Sequence, residues 1–201
     1  ERADFSTPAA TADRFTGTAV LPRQEAITMG VLGYVARASG VDLDARRDHP
    51  FVDLGPRFRV CARDGGDVLA RFLVRADEIA VSADLVSDLV GRLDGHRGSG
   101  ADQSAAPGPL AGPPGASDGA PVAPRPPGHL AARGLALVEA WRGTATHRVE
   151  VDHHGLLSRV AIVDPSFFTW PALPVALADT IVPDFPLANK SFNQSYAGND
   201  L

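Results

Sequence analysis

Apolar positions recur three and four apart over the longest regular stretch of the chain, about Asp67 to Leu93: Leu69, Phe72, Ala76, Ile79, Ala83, Val86, Val90 and Leu93, widened by Leu73, Leu85 and Leu89. This spacing predicts a bundle helix of roughly 40 Å with one face packed on its neighbours. Asp67 near its start suits the helix dipole. A free coiled coil is the alternative, but small Ala76 and Ala83 suit close packing in a bundle better. Upstream, Pro22 fits a first helical position, and Ala26, Ile27, Met29, Val31, Tyr34 and Val35 follow, with Gly40 placed to end the helix. Gly30 and Gly33 inside this predicted helix cost roughly 1 kcal/mol each, and make sense where another backbone packs very close. Arg57 to Cys61 reads as a short strand before a Gly65-Gly66 turn.

Downstream, Leu135 to Val138 reads as the end of a further helix. Thr146 to Val151 and Leu156 to Val163 read as two strands of a hairpin turning through Asp152-His153-His154-Gly155. Asp164-Pro165 breaks the second strand, and Pro171 opens a short helical stretch to about Ala178. Ile181 to Leu201 reads as an irregular, packed extension. The expected fold is mainly α with a small β part, a helical bundle plus a β-hairpin.

Composition changes this picture in one place. The 201 residues include 20 Gly and 17 Pro. Residues 95–128 alone hold 8 Gly, 8 Pro and 7 Ala, with Leu110 and Val122 as the only large apolar side chains. Such a stretch cannot bury enough surface to offset its ordering entropy, so it is expected to be a disordered linker or insertion. It divides the chain into a helical part, 1–94, and a C-terminal part, 129–201, of one domain.

Charge excludes more than it assigns. There are 24 acids and 19 bases, a net charge of -5, and Lys190 is the only lysine. Such a chain is a poor candidate for nucleic-acid binding. Glu1 opens a segment with no apolar run, and stretches such as Leu156 to Val163 are far shorter than a membrane span. The chain is therefore expected to be soluble, to meet a membrane only through partners, and, lacking an initial Met, to be part of a longer protein. Its single cysteine, Cys61, rules out an internal disulfide and a Cys-rich metal site. It reads as buried and structural. His147, His153 and His154 near Glu150 and Asp152 raise the question of a metal. Neighbouring strand positions face opposite ways, so no metal site is assigned. No phosphate loop, dinucleotide fingerprint or nucleophile elbow is present.

The segment Arg37 to Pro50 is dense with charge of both signs. It is either a solvated loop or a buried network of Arg–carboxylate pairs that shapes a cavity. Here the sequence resembles a family. Gly30, Gly33, Arg37, Ser39 and Gly40, then Asp44-Ala45-Arg46 and Pro50, look like the large-subunit family joining membrane-bound [NiFe] hydrogenases to the 49 kDa subunit of respiratory complex I. Gly66-Asp67 with Arg71, Arg75 and Glu78, then Val138-Glu139-Ala140-Trp141-Arg142-Gly143, continue the pattern. So do Asp164-Pro165-Ser166-Phe167-Phe168-Thr169-Trp170-Pro171 and the tail from Val182. Ala45 replaces a usual Leu, and Trp141 a usual Pro.

The resemblance implies the bundle fold of that family. It also implies a subunit, inactive alone, of an NADH dehydrogenase-like respiratory complex, with NAD binding and electron transfer in the assembly. Its partners would be a small iron–sulfur subunit, another peripheral-arm subunit and antiporter-like membrane subunits. It would sit on the cytoplasmic side, peripheral to the inner face of the cell membrane. The hydrogenase branch holds nickel with two Cys-x-x-Cys pairs, whose soft thiolates that chemistry needs. The resemblance puts Ser166, Thr169 and Ala172 at the second pair, so nickel is not expected. In the complex I branch the vacated cavity takes quinone, whose headgroup-binding His and Tyr come from the family's N-terminal half, which has no counterpart here. Quinone is then the implied substrate, with the iron–sulfur cluster in a partner and no cofactor on this chain. Asp44, Glu139 and Asp164 would handle protons, Arg37, Arg46 and Arg142 would pair with them, and Ser166 and Thr169 would line the cavity. Against each role stands a structural ion pair or contact. Against the whole stands a scaffold or assembly subunit, or a truncated gene product.

Overall fold

A computed structural model describes residues 9–98 and 132–199. Of the Gly- and Pro-rich stretch 95–128, residues 99–128 lie outside the described residues. Four short helices lead in: α1 (Ala9–Phe15), α2 (Arg23–Thr28), α3 (Gly33–Ala38) and α4 (Ala45–Asp48). The long helix α5 (Val68–Gly98) follows, four residues longer than the expected linker boundary at 94 allows. Then come strands β1 (Ala132–Ala140), β2 (Gly143–Val151) and β3 (Leu157–Val163), and helices α6 (Pro165–Thr169), α7 (Ala172–Ala176) and α8 (Phe185–Phe192). The fold is helical with one small antiparallel sheet, ordered β1-β2-β3. No helix among the described residues is long and apolar enough to cross a membrane.

The predicted helix from Pro22 to Gly40 is in fact two. Gly30 and Gly33 both take positive φ, +68° and +67°, and Val31 N donates back to Ala26 O in a cap that ends α2. The close-approach expectation holds at Gly33: a Cβ there would lie 2.2 Å from the carbonyl oxygen of Arg142. The β1–β2 turn thus sits directly on the start of α3.

Leu135 to Val138 lies in a strand, not at the end of a helix. β1 pairs along its whole length with β2, from Ala132↔Val151 to Ala140↔Gly143, and that pairing overrides the helical propensity of Leu and Ala. The expected β2–β3 hairpin is present. Asp152 Oδ1 accepts from the backbone N of His154 and Leu156 in its turn, at 2.8 and 3.0 Å. Arg57 to Cys61 is irregular chain rather than a strand. The tail contains α8, so it is more regular than expected.

The face α5 buries also differs from the predicted one. Ala70, Arg71, Val74, Val81 and Leu85 turn inward, joined by Ala76, and the helix packs on α3 and α8. Phe72, Ile79, Val86, Val90 and Leu93 are exposed. Two stripes with three-and-four spacing run down this helix, and spacing alone does not rank them. Asp67 caps α5, accepting from Ala70 N at 2.7 Å. The core between α2, α3, α5, α7 and α8 holds Leu21, Val31, Tyr34, Val35, Val74, Leu173 and Phe192.

Candidate functional site

The charged segment after α3 resolves into a buried network. Arg37, in the last turn of α3, is 1% exposed. Its Nε donates to Glu78 Oε1 at 2.8 Å, and its Nη1 donates to Leu43 O and Glu139 Oε1, each at 2.9 Å. The same Nη1 stands 3.6 Å from Asp44 Oδ2. Asp44 caps α4: its Oδ1 accepts from Arg46 N and Arg46 Nε at 2.9 Å, and its Oδ2 accepts from Arg46 Nη2 at 2.6 Å. Glu139 completes the set from β1. Its Oε2 accepts from the Thr144 hydroxyl at 2.8 Å and from Ala45 N at 3.2 Å. Four of the residues singled out in the sequence, Arg37, Asp44, Arg46 and Glu139, are therefore in one cluster that ties α3, α4, α5 and β1 together.

Three carboxylates face two guanidiniums here, so the cluster carries one excess negative charge when all are ionised. Burial acts to raise the Asp44 carboxyl, but the Arg46 hydrogen bonds and the charges of Arg37 and Arg46 outweigh it and hold Asp44 below the usual range. The Asp44 hydrogen bond raises Arg46 against the opposing effect of its burial. Glu78 goes the other way. Its burial lifts the carboxyl above the usual Glu range, and Arg37 offsets this only in part. Glu78 also keeps the most solvent contact: its side chain is 16% exposed, against 3% for Glu139 and 0% for Asp44. An acid at once desolvated and within reach of water is the member best suited to exchange a proton.

The other singled-out residues gather around α6 and the tail. Asp164 caps α6, accepting from Ser166 N at 2.7 Å. The tail closes on it so tightly that a Cβ on Gly198 would lie 2.4 Å from Asp164 Cγ. Ser166 and Thr169 are fully buried. Ser166 Oγ accepts from Ser195 N at 3.0 Å, and Thr169 Oγ1 donates to Pro165 O at 3.2 Å. Arg142 Nε donates to Asn193 O at 2.6 Å, tying the β1–β2 turn to the same tail.

Between these two groups lies Tyr34. It is fully buried, and its hydroxyl donates to Phe192 O. Burial pushes it up to about 12, with the charges of Arg75, Arg71 and Arg142 opposing. Arg71 is also fully buried. It donates to Gly66 O, Ala19 O and Ser191 Oγ at 2.7 to 2.9 Å and stacks on Phe192; desolvation lowers it to about 10. Arg71 is a structural clamp whose donors go to carbonyl and hydroxyl oxygens rather than a carboxylate.

Sequence reasoning missed Glu78 and Thr144 as site residues. Glu78 had a legible signal, a carboxylate standing in the inward stripe Val74, Glu78, Val81, Leu85. Thr144 follows only once β1 and β2 are paired, opposite Glu139. His153 and His154 lie at the other turn of β2, a strand length or roughly 30 Å from the network.

Comparison with known proteins bears on this arrangement. Residues 5–116 match the model of the family described as respiratory-chain NADH dehydrogenase, 49 Kd subunit. The chain is 28% identical over 195 residues to NADH-quinone oxidoreductase subunit 4 of Thermus thermophilus, covering 86% of this chain and 43% of that one. It is 26% identical over 190 residues to the carbon monoxide-induced hydrogenase of Rhodospirillum rubrum, covering 94% and 46%. A subunit of the membrane-bound sulfane sulfur reductase, an archaeal respiratory membrane complex, superposes with a TM-score of 0.72 at 26% identity, over 98% of this chain and 49% of that one. The chain thus spans less than half the length of these relatives.

Proposed function

The chain belongs to the respiratory-chain NADH dehydrogenase 49 Kd subunit family, and from that premise we propose that it is a nickel-free, hydrogenase-like large subunit of a membrane-attached oxidoreductase. In this reading it forms part of the cavity where quinone or a related acceptor is reduced. Reduction of a quinone to a quinol takes two electrons and two protons. The electrons come from an iron–sulfur cluster in a small partner subunit, and Asp44, Glu78 and Glu139 hold or pass the protons, with Arg37 and Arg46 setting their charge balance. Asp164, Arg142, Ser166 and Thr169 form the neighbouring wall. Another peripheral-arm subunit and antiporter-like membrane subunits complete the assembly, which holds this chain at the inner face of the cell membrane.

The observation that supports this most is the buried network itself: an acid-rich cluster joining four elements, with one member raised by burial and open to water. The donor set supports the nickel-free part. Nickel of the hydrogenase type requires thiolates; the one cysteine of this chain, Cys61, is buried, and its thiol is pushed up by that burial.

A second reading, a scaffold subunit without redox work, is favoured by one observation. Both Glu139 oxygens are already engaged in bridging α3, α4 and β2. Affinity purification of the tagged chain from membranes of its own cells separates the readings. The redox reading expects co-purifying iron–sulfur protein, iron without nickel, and quinone reductase activity. Stoichiometric nickel overturns the nickel-free assignment. An iron-free, inactive assembly supports the scaffold.

A further inference from the structure

The β2–β3 hairpin ends in a well-held, exposed tip. Asp152 N donates to Leu156 O at 2.9 Å, and Asp152 Oδ1 accepts from the backbone N of His154 and Leu156. The two leucines that follow the turn are open to solvent: Leu156 is 65% exposed and Leu157 67%. Two large apolar side chains thus stand next to each other at the end of the sheet.

Behind this tip, arginines gather on one face. The strand pairing puts Arg133, Glu150 and Arg159 in one row across β1, β2 and β3, and directly opposed residues share a face. Arg148 lies two residues before Glu150 on the same strand and so on the same face; its Nη2 stands 2.5 Å from Glu150 Oε1. Arg133 and Arg159 make no hydrogen bond, ion pair or ring contact among the described residues. A cavity of about 660 Å³ lies between this row and the turn, with Arg133, Arg148, Glu150, Asp152, His153 and Ser158 in its lining. Three guanidiniums therefore stand against two carboxylates at this end of the sheet, in a chain whose net charge is -5. One of the two carboxylates, Asp152, is held below the usual range, first by the backbone N–H of Leu156.

We propose that this end of the sheet docks directly on an anionic lipid surface. Leu156 and Leu157 enter the boundary between headgroups and acyl chains, and Arg133, Arg148 and Arg159 bind lipid phosphates, with one headgroup in the cavity. Charge complementarity decides the occupant. An apolar tip alone would suit any apolar groove, whereas an apolar tip backed by guanidiniums matches the layering of a bilayer, in which phosphate lies just outside the acyl chains. The guanidinium fork pairs bidentately with phosphate oxygens, and the arginine stems can lie along apolar surface while their heads reach the phosphates. This adds to the proposed membrane attachment a contact made by the chain itself, and it requires none of the redox chemistry.

Co-flotation of the 201-residue chain with vesicles tests it. Vesicles of phosphatidylglycerol and phosphatidylcholine in equal parts are expected to bind the chain at least tenfold more tightly than phosphatidylcholine alone, and added salt is expected to release it. Arg133→Gln and Arg159→Gln are each expected to weaken binding about fivefold, and the double change Leu156→Ser, Leu157→Ser at least tenfold. These four side chains are exposed, so the variants keep the fold, which an unchanged Tm checks. Asp152→Asn keeps an acceptor for the turn, removes a charge that opposes the phosphates, and is expected to tighten binding. No flotation, equal binding to phosphatidylcholine, or undiminished binding by Arg133→Gln overturns the assignment. Saturable binding of sodium phosphate by a chain that does not float also overturns it, and gives the arginines to a soluble anion. Failure here leaves the quinone reading standing, because partner subunits can hold the chain at the membrane; an assembly without quinone reductase activity leaves vesicle binding standing.

Discussion

Replacing Arg37 by Met removes a guanidinium that stands 2.7 to 3.6 Å from all three carboxylates of the network. Arg37 is 1% exposed and donates to Glu78, Glu139 and the Leu43 carbonyl. Asp44 keeps Arg46, with two side-chain hydrogen bonds at 2.9 and 2.6 Å. Among the described residues Glu139 keeps Thr144 and Ala45 N, and Glu78 loses the hydrogen-bonded guanidinium that most offsets its burial. Breaking a buried pair from one side typically costs about 3–5 kcal/mol. For a domain of this size that is a fall in Tm of about 6–20 °C.

The sign of its pH dependence follows from Glu78. Its folded pKa is already above the unfolded value and rises further without Arg37. An acid so shifted contributes stability while protonated and loses it as pH rises from the ordinary Glu range through the raised value. The penalty should therefore be larger at pH 8 than at pH 5. Thermal and urea unfolding of wild type and Arg37→Met at both values measure it. A penalty under about 1 kcal/mol, or one that does not change with pH, refutes the account of the network as a coupled, buried cluster.

Glu78→Gln should flatten the stability–pH curve of the wild type above pH 4.5, where the deprotonating Glu78 otherwise draws stability down; Tm measured at half-unit steps checks this. Gly33→Ala should cost at least about 2 kcal/mol, because it forces a Cβ into both a positive φ and the Arg142 carbonyl. By contrast Gly91→Ala, in α5 with nothing within 4 Å of the new Cβ, should stabilise by about 0.5–1 kcal/mol, both read by urea unfolding. Cys61, buried and with its thiol pushed up, should react with a disulfide reagent at pH 8 at least tenfold more slowly than free cysteine, and at the free rate in denaturant.

What was legible in the sequence was whatever a local pattern decides. The three-and-four spacing placed α5, and Asp152 to Gly155 placed the β2–β3 hairpin. The mixed charges of Arg37 to Pro50 marked the network, with Glu139 joining it from a segment a hundred residues on. What stayed hidden depended on partners far along the chain. β1 is a strand because β2 lies beside it, although Leu135 to Val138 would suit a helix. Gly30 and Gly33 read as costs within one helix, and they are the joint between two. The inward face of α5 could not be told from its outward one, because Arg71 and Glu78 occupy the buried stripe while Ile79 and Val86 occupy the exposed one. Charged residues point inward there because Arg37 waits for Glu78, and the carbonyls of Gly66 and Ala19 with the Ser191 hydroxyl wait for Arg71.

In the proposed assembly the network handles protons for the acceptor that is reduced there. Quinone reductase turnover of the assembled, membrane-bound complex carrying Glu139→Gln, at unchanged subunit composition, tests it most directly. Glutamine keeps the shape and the contacts to Thr144 and Arg37 within reach while removing the exchangeable proton and its charge. Turnover is expected to fall at least tenfold, with a displaced pH optimum. Wild-type turnover with an unchanged pH profile would contradict it and leave Glu139 as a structural bridge.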